Sequence, residues 1–343
     1  MINISSTGAK VLNNLVTCDG FYCDSRYRVQ SHAHSDHTKK FASSLSQNIV
    51  ATTPTLEILS TQQSIPGLIE RPYVFSLGAN DLIKFEDCKI IFKDAMHMIG
   101  SVQVAVEFSD GNSIGYSGDF SAEAINNPIN VDYLLVDSTY GHPDAVRKFS
   151  QEEAKQALID LVGNNFIKYP IYLKADMGTL QKALSILNNE FQFLPILMNK
   201  KDKEVFDIYN KNGYSFDNIH IDNPFKKEII DIRDENKYIM FYNNKRDLPS
   251  DTSDHISIWI KCLYHRNSGP LTVHGDNSYT VAISDHADFN DTIDYIRNVK
   301  PKFVYTDPTT NKKYANNLSN EIKKLLGIKS KPAKVNLGYE WGK

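Results

Sequence analysis

Residues 31–37 of this chain read Ser31-His32-Ala33-His34-Ser35-Asp36-His37. Three imidazoles and one carboxylate in so short a segment offer the nitrogen and oxygen ligands that zinc and manganese accept in proteins. At this spacing a single tight loop can direct these side chains at two adjacent ions. A histidine-rich loop that binds no metal is the alternative, and the demanding HxHxDH pattern argues against it.

Hydrophobic periodicity predicts several β-strands downstream of this segment. Val102–Phe108 alternates with the two-residue period of a half-buried strand. Asp110–Asn112 predicts a hairpin turn into a second strand, Ser113–Ser117. The apolar run Tyr133–Val136 predicts a buried strand that ends at Asp137. Open sheets usually carry their chemistry at the carboxyl ends of strands, which makes Asp137 a candidate functional residue.

The HxHxDH segment resembles the metallo-β-lactamase superfamily, in which this pattern stands at the end of a strand. The resemblance implies an αββα sandwich. It also implies that His32 and His34 hold a first metal ion, and that Asp36 and His37 hold a second. Asp36 would then count among the catalytic residues as well as the ligands.

The superfamily has two further ligands in a set order, and this chain has matching residues. His97, which precedes a Gly-Ser pair, would complete the first metal's set, and Asp119, in a Gly-Asp-Phe turn, would bridge both ions. Either residue alone is more typical of a structural turn. Their order along the chain and their strand context favour the role of ligands.

A pair of divalent ions about 3.5 to 4 Å apart lowers the pKa of a bridging water and neutralises charge on an attacked phosphate. A phosphodiester is a poor electrophile because its charge repels hydroxide. A site of this kind therefore suits phosphodiester hydrolysis, and nuclease activity is the leading prediction.

Two later motifs, Val136–Gly141 and Ile283–Phe289, resemble the acidic and histidine motifs of the β-CASP nucleases. The wording of the second motif is closest to the prokaryotic ligase-associated DNA exonucleases, with Artemis-like nucleases also similar. The resemblance implies that Asp137 orients His286, and that His286 protonates the leaving oxygen as general acid.

The pattern of predicted secondary structure changes near residue 145. Ser150–Glu153 is a capping-box pattern that opens a helix through Val162. Strand-like runs then alternate with helical stretches up to about residue 280, which predicts an α/β module. We predict a metallo-β-lactamase domain formed by residues 1–145 and 281–343, with an inserted β-CASP module at residues 146–280.

One position departs from the family pattern. The ligase-associated group has a histidine after the last strand, and Pro308 occupies that place here. Asp307 is a candidate oxygen ligand in its stead, although an aspartate before proline is also typical of a turn. The prediction is therefore one or two zinc ions, with manganese or magnesium as alternatives at the second site.

A candidate phosphate-binding turn lies between a predicted strand and helix, at Gly178, Thr179 and Lys182. Free backbone N–H groups and the helix dipole hold anions in such turns. The net charge of the chain is −3, so any nucleic-acid surface must be local. Lysine clusters such as Lys200–Lys203 offer local positive charge, with an ordinary solvated face as the alternative.

The cysteines Cys18, Cys23, Cys88 and Cys262 form no CxxC pair, which favours plain thiols. The N-terminal segment does not resemble a signal peptide, and no long apolar run suggests a membrane span. The expectation is a cytoplasmic protein whose partner is nucleic acid, with single-stranded DNA favoured over RNA.

The leading hypothesis is a metal-dependent DNA exonuclease in DNA repair. RNA processing by the same machinery is the close alternative. A lactonase or thioesterase would use the metal loop but would not need Asp137, His286 and the insertion. A degenerate scaffold is a further alternative, and the intact His97 and Asp119 argue against it.

Overall fold

A computed structural model describes residues 2–242, 252–261 and 269–335. These residues form an α/β protein with three seven-stranded sheets and seven α-helices. The predicted α/β class is confirmed. Contacts divide the chain into two compact units, Met1–Val146 with His286–Lys343, and Arg147–Asp285. The assignment of these parts to metallo-β-lactamase and β-CASP domains stays a prediction.

The first unit contains two of the sheets. Its strands are β1 (Ile2–Ile4), β2 (Lys10–Leu12), β3 (Val16–Cys18), β4 (Tyr27–Val29), β5 (Asn48–Thr52), β6 (Val74–Leu77), β7 (Leu82–Lys84), β8 (Cys88–Asp94), β9 (Val102–Phe108), β10 (Ser113–Tyr116), β11 (Tyr133–Val136), β19 (Phe303–Thr306), β20 (Lys329–Pro332) and β21 (Lys334–Val335). The first sheet has the order β21-β1-β2-β3-β4-β5-β6, and the second has the order β20-β19-β11-β10-β9-β8-β7. Its α-helices are α1 (Thr53–Gln62), α6 (Phe289–Val299) and α7 (Lys312–Leu326).

The main core of this unit lies between its two sheets. Val29 from the first sheet packs in one cluster with Val104 and Tyr116 from the second. The other face of the second sheet packs against α6 and α7, through residues such as Leu134 and Ile296. Full burial of side chains of this size stabilises a fold by roughly 1.5 to 3 kcal/mol each.

Strand β9 is buried on both faces, although its alternation predicted a half-buried strand. Val104 faces the core between the sheets, while Ala105 packs in the cluster that contains α6. Gln103 is also buried, and its Oε1 accepts a hydrogen bond of 2.7 Å from the hydroxyl of Tyr295 in α6. The polar face of β9 is therefore covered by a helix that lies far along the chain.

Strands β10, β11 and β19 are neighbours that run parallel to one another. Their carboxyl ends therefore meet at one edge of the second sheet. Asp119 follows β10 after a short turn, Asp137 directly follows β11, and Asp307 directly follows β19. The topology thus places three carboxylates at a common edge.

The second unit contains the third sheet, of order β14-β13-β15-β12-β16-β18-β17. Its strands are β12 (Ile171–Lys174), β13 (Ile196–Met198), β14 (Ile219–Ile221), β15 (Ile239–Phe241), β16 (Ile256–Ile260), β17 (Leu271–Gly275) and β18 (Ser278–Val281). Its α-helices are α2 (Gln151–Gly163), α3 (Thr179–Glu190), α4 (Lys200–Lys211) and α5 (Lys227–Asp234). The sheet is parallel except for the antiparallel β17–β18 pair.

Several local predictions for this unit are confirmed. Helix α2 begins with the predicted capping box, in which Ser150 and Glu153 exchange hydrogen bonds. Strand β13 begins at Ile196, directly after Pro195. The physical reason is Pro195, which has no N–H to donate to a neighbouring strand.

Cys18, Cys23 and Cys88 are free thiols, as predicted. The prediction for Cys262 lies outside the described residues. Among the helices that the structure describes, none combines the length and apolar character needed to cross a membrane.

Candidate metal centre

The structure brings together His32, His34, His97 and Asp119, with one potential ligand atom of each within 4.8 Å of the others. His34 Nδ1 lies 3.1 Å from His32 Nε2 and 3.1 Å from His97 Nε2. Asp119 Oδ2 lies 3.8 Å from His32 Nε2 and 3.9 Å from His97 Nε2. Three imidazole nitrogens and one carboxylate oxygen therefore converge, which is a ligand set that zinc accepts.

The loop that carries His97 depends on a glycine. Gly100 has a φ of 77°, and a Cβ there would lie 2.5 Å from Thr52 Oγ1. Its carbonyl accepts hydrogen bonds from Thr52 Oγ1 at 2.7 Å and Thr55 Oγ1 at 3.0 Å. Ser101 Oγ then accepts from the backbone N–H of His97 at 3.1 Å. A side chain at position 100 would displace this loop and the His97 ring with it.

Asp119 is placed by the turn that follows β10. Gly118 has a φ of 59°, and a Cβ there would lie 2.8 Å from the Val102 carbonyl oxygen. Asp119 is 8% exposed. Burial alone would raise the pKa of this carboxyl, but the neighbouring imidazoles of His37, His32 and His286 together outweigh burial and hold the pKa well below its usual range. Asp119 is therefore a permanent anion at the centre of the cluster.

His37 lies between two carboxylates. Its Nδ1 is 2.7 Å from Asp19 Oδ2, and its Nε2 is 3.4 Å from Asp119 Oδ1. Burial disfavours the imidazolium, but Asp119 and Asp19 outweigh that effect and raise the pKa of His37 well above its usual range. A proton on Nε2 thus occupies the position that a metal ion would take, and metal binding must release it.

His32 has the opposite character. It is fully buried, and burial together with the neighbouring His37 and His34 lowers the pKa of its imidazole well below the usual range. Ser31 Oγ donates to Asp19 Oδ2 at 2.7 Å and lies 2.9 Å from His32 Nδ1. This arrangement assigns the proton to Nδ1 and leaves the lone pair of Nε2 directed at the cluster.

Asp36, a predicted ligand of the second ion, lies at the margin of the cluster. Its Oδ2 is 3.6 Å from His37 Nε2, and its side chain is 68% exposed. The structure therefore places the exposed Asp36 beside the buried His37, which in turn contacts the buried Asp119.

Sequence reasoning missed Asp19, which lies beneath the cluster. Asp19 is fully buried and accepts hydrogen bonds from the Ser31 backbone N–H at 2.9 Å and from Gln30 Nε2 at 3.0 Å. Its other oxygen holds His37 and Ser31 Oγ. The sequence offered one local signal, a polar residue directly after the apolar residues of strand β3. In the structure Asp19 has a φ of 50°.

Replacing Asp19 with alanine should lower the free energy of unfolding by about 3 to 5 kcal/mol, because a buried ion pair loses one partner. It should also weaken zinc binding by about 10- to 100-fold, because groups that orient ligands have effects of this size. Urea denaturation and zinc titration would measure both. Asp24→Ala, an exposed change nearby, is the control. Unchanged zinc affinity in a folded Asp19→Ala protein would contradict the orienting role.

Asp137 is held by its own turn. Its Oδ1 accepts hydrogen bonds from Thr139 N at 2.9 Å and Thr139 Oγ1 at 2.8 Å, while its N–H donates to Ser117 Oγ. Burial, followed by the negative charge of Asp119, raises the pKa of Asp137 to about 7. The raised pKa therefore reflects the burial of the carboxyl first and the charge of Asp119 second, and a cation bound nearby would lower it.

His286 lies beside the cluster, as the predicted general acid must. Its ring centroid is 4.5 Å from that of His97 and 5.7 Å from that of Tyr140. The next residue, Ala287, donates its N–H to the carbonyl of Phe120 at 2.7 Å, which anchors the segment next to Asp119. The hydrogen bond from Asp137 to His286 stays a prediction.

Asp307 contacts a lysine that the sequence did not identify. Lys10 Nζ lies 3.6 Å from Asp307 Oδ2, and both side chains are almost fully buried. Burial would lower the pKa of Lys10, but Asp307, Asp19 and Asp119 raise it above its usual value. Asp307 Oδ1 accepts from Thr309 N and Thr309 Oγ1 at 2.8 and 2.7 Å, as in a turn. The ligand role predicted for Asp307 remains untested.

Replacing Lys10 with methionine should lower the free energy of unfolding at pH 8 by about 3 to 5 kcal/mol, because it leaves Asp307 as a buried unpaired carboxylate. The double variant Lys10→Met/Asp307→Asn should recover most of that loss. Urea denaturation of the unmodified protein, the two single variants and the double variant would measure the coupling. A fall in bound zinc in Asp307→Asn alone would instead indicate a metal ligand.

The candidate phosphate-binding residues contact the segment that precedes His286. Thr179 Oγ1 donates to Asp285 Oδ2 at 2.8 Å, and Lys182 Nζ donates to the Ser284 carbonyl at 2.9 Å. Gly178, with a φ of 87°, donates its N–H to Gln181 Oε1 at 2.7 Å. These contacts give Thr179 and Lys182 a structural role. Phosphate binding by these residues stays a prediction.

Comparisons with known proteins identify related sequences. No protein-family profile matches the chain. An uncharacterized protein in a lig 3' region of Acidianus ambivalens is 40% identical over 132 residues, which cover 38% of this chain and 94% of that protein. The chain therefore belongs to the family of that protein.

Two longer relatives carry DNA ligase names. A probable DNA ligase of Opitutus terrae is 22% identical over 340 residues, which cover 90% of this chain and 30% of that protein. DNA ligase 6 of Arabidopsis thaliana is 27% identical over 144 residues, which cover 38% of this chain and 10% of that protein. The chain thus spans less than a third of the length of either ligase.

The fold is similar to a crystal structure of a protein of unknown function from Enterococcus faecalis V583. The TM-score is 0.59 and the identity is 14%, with 87% of this chain and 79% of that chain covered. At this identity the likeness concerns the fold alone.

Proposed function

We propose that this protein is a metal-dependent nuclease of the metallo-β-lactamase superfamily, in its β-CASP branch, that hydrolyses phosphodiester bonds in DNA. The observation that carries the proposal is the convergence of His32 Nε2, His34 Nδ1 and His97 Nε2 beside the Asp119 carboxylate. The motifs in which these residues stand are those that resemble the superfamily.

The residues present fit a divalent metal ion. His32 offers a neutral imidazole nitrogen, and Asp119 offers a permanent anion. His32, His34 and His97 would hold a first ion, and Asp36 and His37 a second, with Asp119 between them. Divalent ions at these positions supply Lewis-acid activation of water and neutralise the charge of the phosphodiester.

The chain's own groups complete the chemistry. In the proposal His286, whose ring lies 4.5 Å from that of His97, donates a proton to the leaving oxygen. Asp137 at the end of β11 orients that imidazole in the proposal. Asp119 positions His37 through its Oδ1, and Asp19 fixes the opposite side of the same ring.

The names of two relatives support DNA as the substrate, since both are called DNA ligases and one of them aligns with 90% of this chain. A nuclease that trims DNA ends before joining would act on the same molecule as a ligase. We therefore propose a cytoplasmic DNA exonuclease of repair, with zinc in the first site and zinc, manganese or magnesium in the second.

Digestion of end-labelled oligonucleotides tests the proposal. The protein is dialysed against a chelator and then given zinc, manganese or magnesium, with single-stranded DNA or RNA of the same sequence. We expect a metal-dependent ladder that shortens from one end of the DNA. Faster cleavage of RNA would assign the activity to RNA processing. Inertness toward both polymers in protein that retains zinc would refute the nuclease proposal, and turnover of a lactone or thioester would replace it.

A further inference from the structure

The third sheet exposes one large aromatic side chain on a strand that is otherwise buried. Trp259 in β16 is 40% exposed, while its neighbours Ile258 and Ile260 are buried. Residues that alternate along a strand face opposite sides of the sheet. The isoleucines therefore face one side of the sheet, and the indole faces the other, which also carries the buried Tyr172 of the adjacent strand. The exposed indole lies nearer the carboxyl ends of the strands than that buried side chain.

Two lysines lie against this indole. Lys174, the last residue of β12, is the register partner of Trp259 on the adjacent parallel strand, and its Nζ is 5.2 Å from the ring centroid. Lys261 directly follows β16, and its Nζ is 3.4 Å from the same centroid. Both ammonium groups lie at the carboxyl ends of parallel strands, where open α/β sheets usually bind ligands.

The strand on the other side of Trp259 continues a polar surface. Thr280 in β18 is the register partner of Trp259, and its Oγ1 lies 2.8 Å from Nε2 of the exposed His274 in β17. Thr280 itself is 4% exposed, so the groups presented at this end of the face are the indole, the two ammonium groups and the exposed imidazole of His274. We name these residues, Lys174, Trp259, Lys261, His274 and Thr280, the tryptophan platform.

We infer that the tryptophan platform binds single-stranded nucleic acid, with a base stacked on Trp259 and backbone phosphates paired with Lys174 and Lys261. Proteins bind single strands by this combination, since every base has a π face and the positive charges follow the backbone. Lysines that cover an exposed indole are also found without a ligand, through cation–π attraction alone. The exposed imidazole of His274, two strands away from Trp259, extends the polar groups beyond the two lysines, and this extension favours a bound strand.

This inference deepens the proposed function by assigning substrate binding to a surface of the second unit, yet binding is measurable apart from hydrolysis. The chain has two tryptophans, Trp259 and Trp341, so Trp341→Phe makes Trp259 the sole indole reporter. The probes are a phosphorothioate-linked oligothymidylate, which resists hydrolysis, and an abasic strand of equal length. We expect the thymidylate, but not the abasic strand, to quench the fluorescence of Trp259, because stacking requires a base.

Affinity is measured in parallel with a dye-labelled oligothymidylate in the otherwise unmodified chain. Trp259→Ala should weaken binding about tenfold, whereas Trp259→Phe should retain most of the affinity. The double variant Lys174→Ala/Lys261→Ala should show a weaker salt dependence, with the magnitude of the slope of log affinity against log salt concentration smaller by about 1 to 2. Phe225→Ala removes another exposed aromatic of the same unit, 92% exposed, and should have no effect.

Unquenched Trp259 at saturating thymidylate, or equal affinity of Trp259→Ala and the unmodified chain, would overturn the inference. Loss of self-association in Trp259→Ala without a change in oligonucleotide affinity would assign the platform to a second copy of the chain, and would also overturn it. A further outcome is that the thymidylate quenches Trp259 in a base-dependent manner in a protein that hydrolyses no nucleic acid. That result would support the tryptophan platform and would refute only the nuclease proposal.

Discussion

Replacing Asp119 with asparagine is expected to reduce the proposed phosphodiester hydrolysis by about 10³- to 10⁴-fold, because metal-ion stabilisation of the transition state is worth several kcal/mol. Asp119 lies 3.8 Å from His32, 3.4 Å from His37 and 3.9 Å from His97, so it contacts three imidazoles of the cluster. Asparagine keeps the size of the side chain but removes its charge. Turnover of labelled single-stranded DNA and bound metal per chain are the measurements.

The Asp119→Asn protein should remain folded, which a thermal melt would verify. Asp24→Asn removes an exposed carboxylate from the same unit and should leave turnover and metal content unchanged. If Asp119→Asn kept both its metal and its activity, the convergent cluster would not be the catalytic centre.

Changes at Asp137 and His286 are expected to lower turnover by about 10²- to 10⁴-fold, the usual contribution of a general acid. His286→Gln removes the imidazole beside His97, and Asp137→Asn removes the carboxylate proposed to orient it. If the two residues act as one unit, the double variant should be little slower than the slower single variant. Substrate affinity should change much less than turnover.

The pH profile separates this role from a structural one. With His286 as general acid, the limb of the profile in which activity falls as pH rises should disappear in His286→Gln. A double variant whose loss equals the product of both single losses would show that the residues act separately, and the acid role of His286 would then be withdrawn.

The local sequence was sufficient to predict much of the site. The spacing of His32, His34 and His37 in one loop requires their side chains to be close, whatever surrounds the loop. Strands β9, β10 and β11 were predictable from alternation, a turn motif and an apolar run. These features depend on residues that are close together in the sequence, so they can be predicted from the sequence alone.

The meeting of distant motifs depended on strand order. Asp119, Asp137 and Asp307 share an edge because β10, β11 and β19 are adjacent and parallel. Apolar runs identify such strands but contain no signal for which strand lies beside which. The resemblance to a family assigned Asp119 and Asp137 to one site, and only the sheet topology shows which strands lie side by side.

What the sequence by itself determined is the set of ligand types and the strands that carry them. Only the tertiary structure decided that Asp19 holds His37, that Lys10 pairs with Asp307, and that Gln103 is buried under α6. Each of these polar residues looks like a surface residue in the chain. Each is buried because a partner from another strand or helix supplies the hydrogen bond or charge that offsets its desolvation. That partner is distant in the chain, so the sequence pattern does not identify it.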